Sequence, residues 1–116
     1  GAVSKVKIAV IGAGAWGSTL AQLAQEQGHT IAVWSRRSQV SLAEVTEQAE
    51  IIISAVSMKG VRAIASQIGE LAPGTAIVTA TKGLDSESGS AVNLPFLPSQ
   101  IWQSAFPNHP VAILSG

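Results

Sequence analysis

The sequence predicts an α/β domain of the doubly wound type, a mainly parallel sheet of about five strands with helices on both faces. Three observations predict it. Short apolar runs rich in β-branched residues recur along the chain, segments with apolar residues at helical spacing separate them, and a glycine-rich turn joins the first run to the first helical segment. Strands that alternate with helices need crossover connections, and crossovers make the strands parallel and cover the sheet on both faces.

The first run, KVKIAVIG at 5–12, is apolar without alternation and closed by glycine, as in a strand buried on both faces. Ala15 to Gln27 carries Trp16, Leu20, Leu23, Ala24 and Gln27 at helical spacing, and Gly28 is placed to end that helix in the left-handed conformation. TIAVW at 30–34 reads as a second buried strand, and SLAEVTEQAE at 41–50 as a short helix with a polar face and Ser41 as its cap. IIISAV at 51–56 is the third strand. GVRAIASQIGEL at 60–71 puts Val61, Ile64, Ala65 and Ile68 on one helical stripe, and PGTAIVTATKG returns through a proline–glycine turn to a fourth strand ending at Lys82. Residues 84–98, rich in serine and proline, read as a loop. SQIWQSAF is then a helix, PNHP a turn, and VAILSG at 111–116 a fifth strand.

With 116 residues, 47% of them hydrophobic, the chain builds one core, so residues 2–116 are expected to form one domain. Seven basic residues balance seven acidic ones. No net field therefore attracts nucleic acid or an anionic membrane, and an anion has to be held locally. The absence of cysteine removes disulfides, thiolate catalysis and iron–sulfur clusters. His29 and His109 are far apart, each beside a turn, which speaks against a histidine metal pair. No apolar run approaches the ~20 residues of a membrane span, and no signal-peptide pattern opens the chain, so a soluble, cytoplasmic domain is expected.

Gly12, Gly14 and Gly17 have the G-x-G-x-x-G spacing, directly after a strand and at the start of a helix, where a dinucleotide-binding (Rossmann-like) fingerprint belongs. Gly12 allows the tight turn, Gly14 keeps side-chain atoms away from a pyrophosphate, and Gly17 lets the helix pack closely on its strand. The free N–H groups around Ala15 and Trp16 then meet the anion. The same turn could serve only to pack a helix on a sheet. Trp16 suits either simple packing or a flat wall against the cofactor.

In that fingerprint an Asp or Glu about twenty residues on takes the ribose 2′-hydroxyl. Here the position falls within Val33 to Arg37, where there is no acid and there are two adjacent arginines. A carboxylate would repel a 2′-phosphate, whereas a guanidinium binds one through charge-assisted bonds of about 1.5–3 kcal/mol. The arrangement permits NADP and favours it over NAD. Arg36, nearer the strand, is expected to make the direct contact and Arg37 a looser one; the alternative is that the pair only solubilises a strand end.

GAGAWGSTLA, GHTIAVWSRR, AEIIISAVS, TATKGL and VAILSG occur in this order over nearly the whole chain. With them the chain resembles the bacterial NAD(P)-dependent glycerol-3-phosphate dehydrogenases. The resemblance implies interconversion of sn-glycerol 3-phosphate and dihydroxyacetone phosphate with NAD(P), as a supply for phospholipid synthesis, and it admits a homo-oligomer. It implies that Ala15, Trp16, Arg36 and Arg37 line the cofactor, that Lys82 reaches the nicotinamide end and the substrate, and that Gly116 borders the substrate. The chain departs from the family in three places. Between Arg37 and SLAEVTEQAE the family carries material for a further edge strand, and its absence implies a sheet in the order 2-1-3-4-5. AVSMK at 55–59 replaces the family's usual Ala-Val-Pro-Ser, leaving the roles of Ser57 and Met58 open. The family's helical substrate domain, with its proton-accepting lysine, has no counterpart here, so no catalytic residue is assigned, and nucleotide binding without turnover is expected. Two other readings are a stand-alone dinucleotide sensor and the cofactor domain of a hydroxy-acid or phosphogluconate dehydrogenase. TATKGL speaks against the latter.

Overall fold

The computed structural model describes residues 6–12, 14–56, 58–80 and 98–114. Among them strands and helices alternate: β1 (Lys7–Ile11), α1 (Ala15–Glu26), β2 (Thr30–Trp34), α2 (Leu42–Thr46), β3 (Ile51–Ser54), α3 (Met58–Gln67), β4 (Ala76–Ala80), α4 (Pro98–Ala105) and β5 (Val111–Leu114). The strands form one parallel sheet in the order β2-β1-β3-β4-β5, the class and order expected from the sequence. The stretch expected to be a loop lies, apart from Pro98, outside the described residues.

Local chemistry sets the ends of the elements. Gly28 adopts φ +90°; its N–H donates to the Gln25 carbonyl at 3.0 Å and the His29 N–H to the Ala24 carbonyl at 3.2 Å. This pair of bonds is the Schellman arrangement and stops α1 where the sequence places its end. Ser41 caps α2, its hydroxyl accepting the Glu44 N–H at 3.1 Å. Gly74, at φ +88°, makes the turn into β4, and the Thr75 hydroxyl donates to the Ala49 carbonyl at 2.7 Å beneath it.

Alternation along each strand sorts the sheet into two faces. One carries Ala9, Ile11, Trp34, Ile52 and Ile77, and these join Leu42 and Val45 of α2, the α3 stripe Val61, Ile64 and Ala65 with Ile68 just beyond it, and Trp102 of α4 in a continuous core. The α3 stripe is the one read from the sequence. The other face carries α1, whose Gly17 lies against Val10.

Helices lie on both faces as expected, and three details of how they cover the sheet need correction. The second face is covered unequally: Ile8 and Val10 of β1 are buried, but Ile51 and Ile53 of β3 and Ala76, Val78 and Ala80 of β4 are only half-buried. A helix about 10 Å across spans roughly two strands spaced about 4.8 Å apart, and α1 sits over β1 and β2. Second, β2 is not a buried strand. It forms the sheet edge, with Thr30 and Val33 exposed. Third, the inward face of α1 runs through Gly17, Leu20, Ala21 and Ala24, while Leu23 is 54% exposed and Gln27 is exposed. Close approach at Gly17 sets the rotation of the helix and turns Leu23 outward.

Candidate functional site

The carboxyl ends of β1, β2 and β3 lie side by side, with Ile11 opposite both Trp34 and Ser54. Backbone bonds hold the turn after β1 between its neighbours: the Gly12 N–H donates to the Trp34 carbonyl at 2.7 Å, and the Ala55 N–H donates to the Ile11 carbonyl at 2.9 Å. The strand order reverses direction at this point, and doubly wound sheets hold ligands in the crevice such a reversal opens.

Each glycine of the turn has a distinct environment. Gly12 has φ +101°, and a Cβ there would stand 3.0 Å from the Ala55 carbonyl oxygen and 3.1 Å from Val56 Cγ1. A Cβ on Gly17 would fall on the Gly12 carbonyl oxygen. Gly14 differs, since a Cβ there would meet nothing within 4 Å. Gly12 and Gly17 are therefore required by the protein's own packing, while Gly14 leaves room for something else. Gly14 also caps α1 with extended backbone and, as glycine, makes no side-chain cap bond. Ala15 and Trp16 form that first turn.

A cleft of about 660 Å³ opens here. Gly12 and Gly14 form one wall; Trp34, Ser35, Arg36 and Arg37 come from the end of β2; Val56, Gly60 and Ile64 come from the β3–α3 connection and α3. Both arginines are exposed, and among the described residues no acidic side chain lines the cleft. The structure thus brings together Gly12, Gly14, Arg36 and Arg37 from separate stretches of sequence. Lys82 and Gly116 lie outside the described residues, as does Ser57.

Sequence reading missed Ser35, Val56, Gly60 and Ile64. For Val56, Gly60 and Ile64 the signal was the position of β3 beside β1, which places the residues after Ser54 at the reversal point, and for Ser35 it was the end of β2. A second groove, of about 780 Å³, lies between the carboxyl-terminal halves of α3 and α4, near Ile68, Glu70 and His109. It is remote from the glycine turn and has no comparable pair of adjacent cations.

The family model described as the N-terminus of NAD-dependent glycerol-3-phosphate dehydrogenase matches residues 7–41 and 37–116. The two matched segments overlap at residues 37–41. The chain is 53% identical over 116 residues to glycerol-3-phosphate dehydrogenase (NAD(P)+) of Trichormus variabilis and 51% identical to that of Nostoc sp., covering 98% of this chain and 36% of each relative. It therefore spans about a third of the length of these curated relatives. Solved structures share the fold: glycerol-3-phosphate dehydrogenase from Coxiella burnetii, with TM-score 0.64 and 22% identity over 97% of this chain and 41% of that one, and a reductive aminase from Aspergillus terreus in complex with NADPH and ethyl levulinate, with TM-score 0.68 and 16% identity over the same shares. With the family match running over both sides of the cleft, the chain belongs to the family of NAD-dependent glycerol-3-phosphate dehydrogenase N-terminal domains.

Proposed function

We propose that this chain is the cofactor-binding unit of an oxidoreductase that interconverts sn-glycerol 3-phosphate and dihydroxyacetone phosphate, with NADP preferred over NAD. The observation that carries the cofactor reading is the lip of the cleft, free of acids among the described residues, where Arg36 and Arg37 stand beside an open space at Gly14. The backbone at Gly14 and the first turn of α1 hold the pyrophosphate, and the guanidinium groups hold the 2′-phosphate. Trp16 belongs to the same turn and borders the bound nucleotide. When bound, the nicotinamide supplies hydride chemistry at the substrate carbinol carbon.

The family motifs carry the substrate reading. Lys82 binds substrate oxygen near the nicotinamide, and Gly116 borders the substrate. The chain spans about a third of the relatives' length, and nucleotide binding is the step that its own residues carry. The relatives' names support glycerol 3-phosphate as the substrate.

Titration calorimetry with NADPH and NADH tests the cofactor reading. NADPH is expected to bind at least about tenfold more tightly, in line with one or two charge-assisted bonds. Arg36→Ala should weaken NADPH and leave NADH nearly unchanged. Equal affinities for the two nucleotides in the unmodified chain would overturn the assignment.

A further inference from the structure

The segment between β2 and α2 is held by bonds that the cofactor reading does not use. The Ser35 N–H donates to Ser38 Oγ at 2.9 Å, and the Ser38 N–H donates back to the Ser35 carbonyl at 2.9 Å. These reciprocal bonds close a turn whose two central residues are Arg36 and Arg37. Farther along, the buried Trp34 donates its indole N–H to the Val40 carbonyl at 3.0 Å and ties the far end of the segment to the strand. Ser41 then caps α2.

Two arginines on a loose loop would bind an anion only after backbone and side chains were ordered, and that ordering would reduce affinity. A turn closed in advance loses less. We propose that Ser38 is a positioning residue for cofactor selectivity: its hydroxyl closes the turn that holds Arg36 and Arg37 at the lip of the cleft in readiness for a ribose 2′-phosphate. The proposal rests on the reading that these arginines bind that phosphate. Ser38 does not line the cleft and is half-buried, so it acts through its neighbours. The hydroxyl is the part that matters. Alanine would keep the backbone bond from the residue-38 N–H and lose the acceptor for the Ser35 N–H, whereas threonine would keep both.

The test measures dissociation constants for NADPH and NADH by titration calorimetry on the 116-residue chain and on its Ser38→Ala, Ser38→Thr and Arg36→Ala variants. Taking the ratio of the two constants within each variant cancels any general loss of folded protein. Ser38→Ala should weaken NADPH about three- to tenfold, the worth of one hydrogen bond, with NADH unchanged. Ser38→Thr should keep the original ratio. A Ser38→Ala ratio equal to that of the unmodified chain, or equal weakening of both nucleotides, would overturn the role of Ser38. If Arg36→Ala still lowers the ratio in that case, the phosphate reading stands alone; if Arg36→Ala also leaves it unchanged, both fall.

Discussion

Gly14 and Gly17 look interchangeable in the motif, but their surroundings demand different things of them. The position of a Cβ on Gly17 is already occupied by the Gly12 carbonyl oxygen, which belongs to backbone and cannot swing aside. Gly17→Ala should therefore cost about 1–3 kcal/mol of stability, read as a lower urea midpoint at constant slope. Gly14 is the reverse case: a Cβ there projects into open space at the mouth of the cleft. Gly14→Ala should cost about 1 kcal/mol, the preference of an N-cap for glycine over alanine, while reducing NADPH affinity at least about tenfold by separating the pyrophosphate from the backbone. Normal binding by Gly14→Ala would remove the turn from the site.

At the scale of the element, α2 shows how much a short helix owes to its ends. It has five residues, Leu42–Thr46, too few for propensity alone to hold it. Burial of Leu42 and Val45, the Ser41 cap and the Thr46 hydroxyl donating to the Leu42 carbonyl at 2.8 Å supply the difference. Ser41→Ala is expected to lower stability by about 0.5–2 kcal/mol and Ser41→Asp to preserve it, measured by chemical denaturation. Equal midpoints for the alanine variant and the original would mean that side-chain burial alone holds the helix. The strands carry the opposite lesson. β1 and β2 look alike in sequence, yet β1 is covered on both faces and β2 is an edge, because its place in the order, not its composition, decides what lies beside it.

For the whole molecule, the unequal covering of the sheet has a consequence. Ile51, Ile53 and Val78 are half-buried on the face opposite the core, and Ile113, on the other face of β5 at the end of the sheet among the described residues, is 53% exposed. Apolar surface and an open strand edge both favour pairing with another copy. Sedimentation at rising concentration should show self-association of this chain, reduced by Val78→Lys on the half-covered face or by Ile113→Lys at the end of the sheet, each expected to cost at most about 1 kcal/mol of stability because neither residue is fully buried. A monomer at every concentration would show that this surface is inert.

The sequence by itself determined the alternation of strands and helices, the stop at Gly28, the cap at Ser41, the stripe on α3 and the glycine turn. It also showed the two arginines without an acid beside them. These are local features: a turn's conformation, a cap's bond and a helical period depend on residues a few positions apart. The strand order was expected from the resemblance and from the short stretch after Arg37, and the sheet has that order. Only the tertiary structure decided that Val56, Gly60 and Ile64 share a cleft with Arg36, because the register of β3 on β1 carries them there. It also decided that Leu23 faces outward, since contact at Gly17 sets the rotation of α1. The bonds between Ser35 and Ser38 are local in sequence, but Trp34 and the cleft give them a direction: periodicity says which residues can be buried, and register says what they are buried against.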